Sequence, residues 1–180
     1  RCLEDLKPLA LVDAILAKKN LGTHRKMAKY TLALGPGFTA GADVDLVIET
    51  MRGHSLGRII REGSAMPNTG VPGIIAGYGK ERVVHAPADG TLHILHDIGD
   101  SVEKGEPLGL IGEVKVPSPL SGLLRGILPD GFAVTKGLKM ADVDPRLSEY
   151  ANCVTISDKA RCIGGGVLEG LLSLMREGEA

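Results

Sequence analysis

Two apolar stretches near the start of the chain predict buried β-strands. Residues 9–17, LALVDAILA, form a nearly continuous apolar run interrupted by one acid, Asp13, which is typical of a buried parallel strand or a short helix. Residues 30–35, YTLALG, repeat the pattern and lead into the glycine-rich turn GPGFTAGAD. We therefore expect this part of the chain to begin an α/β domain.

The next segment has the alternation of a β-hairpin. Val44, Leu46 and Ile48 alternate with less apolar positions, and after a turn the chain returns as LGRIIREG, which places Gly53 near the tip. Residues 63–73, GSAMPNTGVPG, are rich in turn-forming residues and predict an irregular linker or binding loop.

The C-terminal segment predicts a strand followed by a helix. Cys153, Thr155 and Ser157 alternate with apolar residues as in a strand. From about Gly165 the apolar residues fall at helical spacing, so we expect the helix to begin there. The three glycines 164–166 would then lie at its amino end, where an anion is favoured.

The middle of the chain contains an internal repeat. Placing residues 84–112 over residues 116–144, an offset of 32, gives eight identities in 29 positions. The repeated glycines fall where chain reversals need a positive φ, and the apolar residues between them alternate as in strands. The identical pairs are Val84/Val116, Pro87/Pro119, Gly90/Gly122, Leu92/Leu124, Gly99/Gly131, Val102/Val134, Lys104/Lys136 and Gly105/Gly137.

This repeat resembles the two halves of biotinyl and lipoyl carrier domains. APADGTLHILHDIGDSVEKGEPLGLIG resembles the first half and VPSPLSGLLRGILPDGFAVTKGLKMADVD the second. The resemblance implies a barrel-sandwich hybrid over residues 79–146, inserted into a partial Rossmann-like α/β domain made of residues 1–78 and 147–180. No carrier lysine is expected, because aligning residues 114–119 with the family's V-x-V-P-S-P stretch puts Lys115 inside a strand and Ile111 at the hairpin tip.

Composition and charge exclude several classes of function. A formal net charge of -1 gives no sign of nucleic acid or an anionic membrane as partner. No apolar run reaches the roughly 20 residues that span a bilayer. Three cysteines without CxxC spacing indicate neither a disulfide framework nor a zinc site, which favours a cytoplasmic location. His93 and His96, three apart on a strand, would point to opposite faces, so we predict no metal site.

Candidate ligand-binding residues cluster in three places. The glycine turn could present backbone N–H groups to a phosphate or carboxylate, although such turns are more often only turns. The hairpin tip combines an acid, an imidazole and two guanidinium groups that could bind an anion and move a proton; a solvated hairpin end is the equal alternative. The candidates are Gly35, Gly37, Thr39, Gly41, Glu49, Arg52, His54, Arg58, Asn68, Ser157, Asp158 and Lys159. If one cleft unites them, they lie within about 15 Å of one another.

The whole chain also resembles YqeB-type proteins of the selenium-dependent molybdenum hydroxylase system. The segments that carry the resemblance are LVDAILAKKNLGT, LGPGFTAGADVD, VIETMRGHSLGRII, GSAMPNTGVPG, APADGTL, VPSPLSG and ISDKARCIGGGVLE. The resemblance implies an accessory role in hydroxylase maturation, with a hydroxylase subunit as partner. The ligand candidates are the molybdenum cofactor, an anionic precursor of it, or a nucleotide. Such proteins are typically longer, with a preceding nucleotide-binding-like segment, so we expect this chain, which starts at Arg1, to be part of a longer protein.

Two other functions stay open at this stage. The chain could be a non-catalytic interaction module whose lysine-free, lipoyl-like barrel docks a hydroxylase subunit. It could also be a genuine acyl or biotin carrier modified at Lys115. The residues decide neither whether the chain turns over a substrate nor whether it forms a homo-oligomer.

Overall fold

The protein divides into two compact units. The computed structural model describes residues 2–71 and 73–178. One unit contains the chain up to Thr69 together with the chain from Ile156 onward, and the other is Gly70–Thr155. The second unit extends nine residues beyond each end of the predicted 79–146. Part of the extension is a 3-10 helix, Leu147–Val154, which contacts the strand that contains Arg125.

The first unit is built on a four-stranded, mostly parallel sheet. Its elements are helix α1 (Cys2–Leu6), strands β1 (Ala10–Asp13), β2 (Tyr30–Leu34), β3 (Thr39–Ala40), β4 (Leu46–Ile48), β5 (Ile59–Ile60) and β6 (Gly63–Ser64), a 3-10 turn Arg25–Met27, and helix α2 (Asp158–Glu177). The sheet order is β1-β2-β4-β5. β1, β2 and β4 run parallel, and β5 returns antiparallel to β4 as the expected hairpin. The apolar run 9–17 is thus a strand for only its first part, and residues 14–17 are exposed.

Each face of this sheet is covered by a different element. On one face α2 packs with Ile163 against Leu34 and Ile48. On the other face Ala33 and Val47 pack with residues from the β3 region, whose strand pairs with β6. Strand β2 is buried along its whole length, as expected for a parallel strand covered on both faces.

Helix α2 corrects two predictions about the C-terminal segment. Residues 153–157 do not form a strand, because the 3-10 helix continues to Val154. The long helix begins at Asp158, seven residues before the expected start at Gly165, because the Ser157 side chain caps it by accepting a hydrogen bond from the backbone N–H of Ala160. Residues 164–166 therefore lie inside the helix and not at its amino end.

The second unit consists of two four-stranded antiparallel sheets. Its strands are β7 (Val83–His85), β8 (Gly90–Ile94), β9 (Ser101–Val102), β10 (Pro107–Ile111), β11 (Val114–Pro117), β12 (Gly122–Ile127), β13 (Ala133–Val134) and β14 (Lys139–Asp144), and a 3-10 turn, Lys80–Arg82, precedes them. One sheet has the order β11-β10-β8-β13 and the other β7-β14-β12-β9. All neighbouring strands are antiparallel.

The 32-residue sequence repeat relates these two sheets to each other. Shifting by 32 residues carries β7, β8, β9 and β10 onto β11, β12, β13 and β14, so the order of one sheet becomes the order of the other. The hydrogen bonds repeat in the same way: the N–H of Gly99 donates to the carbonyl of Leu124 at 2.8 Å, and Gly131 donates to Leu92 at 2.8 Å. The buried core is paired as well, through Val84/Val116, Leu92/Leu124, Val102/Val134, Leu108/Met140 and Ile111/Val143.

Across the residues that the structure describes, neither helix combines the length and the apolar character that crossing a bilayer requires.

Candidate functional site

The loops that follow the parallel strands meet at one edge of the first sheet. Because β1, β2 and β4 are parallel, their carboxyl ends lie at the same edge, where ligands commonly bind in open α/β sheets. The turn after β2 touches the other two loops. A Cβ added to Gly37 would lie 2.6 Å from the Cα of Lys19, and one added to Gly35 would lie 2.5 Å from Thr50 Oγ1. Both glycines have positive φ, 108° at Gly37 and 75° at Gly35, so this close approach needs glycine.

Glu49 holds the loop after β4 in place. Its side chain is buried, and its carboxylate accepts hydrogen bonds from the backbone N–H groups of Thr50 at 2.8 Å, Met51 at 2.7 Å and Met66 at 2.8 Å. Both oxygens of this carboxylate are therefore engaged by backbone N–H groups. The structure thus gives Glu49 a positioning role, and proton transfer at the hairpin tip stays a prediction.

Arg52 links this loop to the start of α2. Its guanidinium makes a bidentate contact with Asp158, at 2.8 Å from Nη1 to Oδ2 and 2.9 Å from Nη2 to Oδ1. The hydrogen bonds from Arg52 hold the pKa of Asp158 well below its usual range, and Asp158 raises the pKa of Arg52. Both side chains are more than half exposed, so the contact orients Arg52 and adds little stability.

Lys159 lies near two other cationic side chains, Lys18 and Arg52, at this edge of the sheet. Burial lowers the pKa of its ammonium group, and repulsion from Lys18 and Arg52 lowers it further, while Glu49 acts in the opposite sense. Lys18 lies in the loop after β1 with a left-handed φ of 62°, a conformation that is uncommon for residues other than glycine. Three cationic side chains therefore converge where the three loops and the start of α2 meet.

The structure separates the predicted candidates into distinct places. Gly35, Glu49, Arg52, Asp158 and Lys159 belong to the carboxyl edge. Ser157 lies beside them, and its hydroxyl is occupied as the helix cap.

Thr39 and Gly41 make structural contacts instead. The N–H of Thr39 donates to Asp43 at 2.8 Å, its hydroxyl is 3.1 Å from that of Ser64, and the carbonyl of Gly41 accepts from Arg25 at 3.0 Å. These contacts hold the turn that carries β3, and ligand binding by Thr39 and Gly41 stays a prediction.

His54 and Arg58 line a groove between the β4–β5 hairpin and α2, and Arg52 is not among the residues of that lining. Asn68 lies exposed in the irregular stretch before the second unit. Sequence analysis missed Lys18, which begins the basic segment KKNLGTHRK in the loop between β1 and β2. A basic segment in the loop that follows a parallel strand was the available signal.

Sequence comparison identifies a relative for almost the entire chain. The chain is 54% identical over 176 residues to the uncharacterized protein YqeB of Escherichia coli strain K12, a match that covers 98% of this chain and 32% of YqeB. The chain is therefore similar to YqeB over almost its whole length, and it spans about a third of that protein. No family model matches the chain.

One solved structure also shows partial similarity to this chain. It is succinylglutamate desuccinylase/aspartoacylase from Rhodobacter sphaeroides, 25% identical, with a TM-score of 0.33. The match covers 37% of this chain and 23% of that protein.

The second unit has no lysine at its central hairpin tip. Ile111 pairs with Val114 across a two-residue turn, Gly112-Glu113, in which Gly112 has a φ of 61°. Lys115 is exposed within β11, opposite Leu110. The register thus places Lys115 in the strand, as its sequence alignment predicted.

His93 and His96 of the second unit have separate acidic partners. His93 Nδ1 lies 3.6 Å from Asp130, whereas His96 lies 3.4 Å from Asp100 and 3.2 Å from Glu106. Within the described parts of the chain, no three His, Cys, Asp or Glu side chains are grouped so as to hold a metal ion.

Proposed function

We propose that this chain binds an anionic ligand at the carboxyl edge of its parallel sheet. The observation that carries the proposal is the convergence of Lys18, Arg52 and Lys159, where burial and then repulsion from the other two cations lower the pKa of Lys159. A bound oxyanion would relieve that repulsion and would accept hydrogen bonds from the ammonium groups. Asp158 offsets the charge of Arg52 only, and the carboxylate of Glu49 is already bound by backbone N–H groups.

In this proposal the ligand is the molybdenum cofactor or an anionic precursor of it. The segment would then be part of an accessory protein that matures a selenium-dependent molybdenum hydroxylase, with a hydroxylase subunit as its partner. Support for the hydroxylase part comes from the resemblance of the whole chain to YqeB-type proteins. The basic edge of the sheet supports the anionic character of the ligand.

The same proposal includes a fold for each unit. The first unit is a partial Rossmann-like α/β domain, supported by three parallel strands with a covering helix. The second unit is a barrel-sandwich hybrid of the lipoyl and biotinyl class, supported by the exchange of its two sheets under the repeat. A solved structure of the full-length relative would test both assignments.

A titration of Lys159 tests the site directly. We expect inorganic phosphate and molybdate to bind the chain and to raise the pKa of Lys159. NMR of the lysine side-chain resonances, with and without the anion, measures that pKa. Lys159→Gln should weaken binding of both anions about fivefold or more, because an ammonium–oxyanion contact is lost. Lys26→Gln is the matched control, since Lys26 is exposed in the same unit. Equal affinities for the two variants would exclude the carboxyl edge as the site.

Native mass spectrometry tests the identity of the ligand. Protein that contains this chain, purified from its native host together with its hydroxylase, should retain a mass that corresponds to the molybdenum cofactor or a precursor. Loss of that mass in the Lys159→Gln protein would connect the cofactor to this edge. Retention of the same mass in that variant would place the cofactor elsewhere in the longer protein.

A second candidate function is a non-catalytic interaction module. It is supported by the hairpin tip without a lysine and by large apolar side chains exposed on the second unit, among them Leu95 and Phe132, which are 53% and 43% exposed. Here the second unit would dock a hydroxylase subunit. In a pull-down with the purified subunit, Phe132→Ser should reduce capture and Lys159→Gln should not. The opposite result would favour the anion-binding site.

A further inference from the structure

An open groove runs between the β4–β5 hairpin and helix α2. Its volume is about 1270 Å³, and its lining includes Arg58, Ile59 and Arg61 from the hairpin and Leu172 and Arg176 from the helix. All of these residues belong to the first unit. The groove therefore lies within one compact part of the molecule.

Contacts between the hairpin and α2 fix both ends of the groove. At one end the backbones approach so closely that a Cβ added to Gly166 would lie 2.2 Å from the carbonyl oxygen of Gly57. At the other end Arg61 forms a salt bridge with Glu177 at 3.0 Å and donates to Ser173. Residues 166–177 of a helix span about 16 Å, at about 1.5 Å a residue. An extended segment of about five residues covers that length, at about 3.3 Å a residue.

One wall of the groove is an open sheet edge. Among the described strands, β5 pairs with β4 alone. The backbone N–H of Glu49 donates to the carbonyl of Arg58, and the carbonyl of Glu49 accepts from the N–H of Gly57, both at 2.9 Å. Along an antiparallel pair, the backbone polar groups of successive residues point alternately toward the partner strand and away from it. By that alternation the N–H and C=O groups of Ile59 point away from β4. An edge of this kind can pair with an added strand.

The side chains around this edge favour a bound segment in which acidic residues alternate with apolar ones. Arg61 is balanced by Glu177, whereas Arg58 and Arg176 have no ion pair within the described residues. Glu169 is the remaining acid of the lining. Leu172 is 51% exposed and offers apolar surface between the arginines.

We propose that an extended acidic segment of a partner protein docks in this groove by adding a strand to β5. Its backbone pairs with the free groups of Ile59, its carboxylates pair with Arg58 and Arg176, and its apolar side chains cover Ile59 and Leu172. This interaction surface is distinct from the carboxyl edge and does not depend on the function proposed for that edge.

Peptide binding to the whole 180-residue chain tests the proposal. The probe is a fluorescein-labelled peptide, acetyl-Glu-Val-Glu-Val-Glu-Val-amide, followed by fluorescence anisotropy. We expect it to bind, and we expect the lysine analogue acetyl-Lys-Val-Lys-Val-Lys-Val-amide not to bind. A version methylated at alternate backbone nitrogens should also fail to bind, because it cannot complete the ladder. Equal binding of the methylated peptide, or no binding of the acidic one, would overturn the proposal.

Matched variants locate the peptide on the protein. Arg176→Glu should weaken binding about fivefold or more, because an attractive charge pair becomes repulsive. Arg161→Glu is the control, since Arg161 is exposed on the same helix and is not among the lining residues. Equal effects of the two substitutions would contradict the assignment.

Cys162 gives an independent readout that needs no variant. Its side chain is exposed and lines the groove, so bound peptide should slow its alkylation. Cys153 in the other unit is the internal control. If sedimentation shows instead that the chain dimerises and that dimerisation protects Cys162, the occupant is a second copy and the partner proposal is wrong.

Discussion

The carboxylate of Glu49 accepts a hydrogen bond from the backbone N–H of Met66, 2.8 Å away and 17 residues later in the chain. The same carboxylate binds two N–H groups of its own loop, so one buried charge ties the end of β4 to the segment after β6. Replacing Glu49 therefore tests how the carboxyl edge is held in shape.

Glu49→Gln should lower the free energy of unfolding by about 2 kcal/mol, because the amide can no longer accept at both atoms and one buried N–H is left unsatisfied. Urea denaturation measures the change. Glu62→Gln, at an exposed position in the same unit, should change stability by less than about 0.5 kcal/mol. A similar change in the free energy of unfolding for both variants would show that the buried hydrogen bonds of Glu49 do not stabilise the fold.

The contact between Arg52 and Asp158 predicts how the carboxylate titrates. Because the folded pKa of Asp158 lies below its usual value, its contribution to stability is present above pH ~3.9 and is lost as the pH falls through the folded pKa. Arg52→Gln should raise the pKa of Asp158 toward about 3.9, as followed by NMR of the carboxyl carbon. Arg161→Gln, which changes an exposed arginine one turn along, should leave the titration of Asp158 in place.

Two glycines of α2 should respond to alanine in opposite directions. Gly166→Ala should destabilise the protein by more than about 2 kcal/mol, because its Cβ would overlap the carbonyl of Gly57. Gly164→Ala adds a methyl group in open space and should stabilise the helix by up to about 1 kcal/mol. Thermal unfolding of the two variants measures both effects, and a stabilised Gly166→Ala protein would contradict the observed packing.

Lys115 should carry no prosthetic group. It lies within β11, while the adjoining turn contains only Gly112 and Glu113. Intact mass of protein isolated from its native host should match the unmodified sequence. An adduct that disappears in Lys115→Arg would restore the carrier hypothesis.

The second unit was the more predictable part of the fold, because its pattern repeats along the sequence. Gly99 and Gly131 appear as a sequence pair, and the structure gives them equivalent hydrogen bonds. The start of α2 was less predictable, because the alternation around Cys153 also fits a 3-10 helix and three glycines obscure the helical pattern. There the burial of Gly166 against Gly57 outweighs the low helix propensity of glycine.

The candidate site could be predicted only in part. Glu49, Arg52 and Lys159 were identified from residue type, but the contact between Arg52 and Asp158 joins positions 106 residues apart, a distance that local patterns do not report. His54 and Arg58 are close to Arg52 in sequence, yet they line a different surface. Lys18 was missed because its importance depends on where the ends of three parallel strands meet.

The exchange of sheets under the 32-residue shift has a consequence for how the second unit is built. Each sheet takes two of its four strands from each copy of the repeat. One copy of the repeat alone would supply only two of the four strands of each sheet, and a second copy would supply the other two strands of both sheets. The unit therefore has the arrangement of a two-fold symmetric homodimer joined into one polypeptide, and neither half can be removed without opening both sheets.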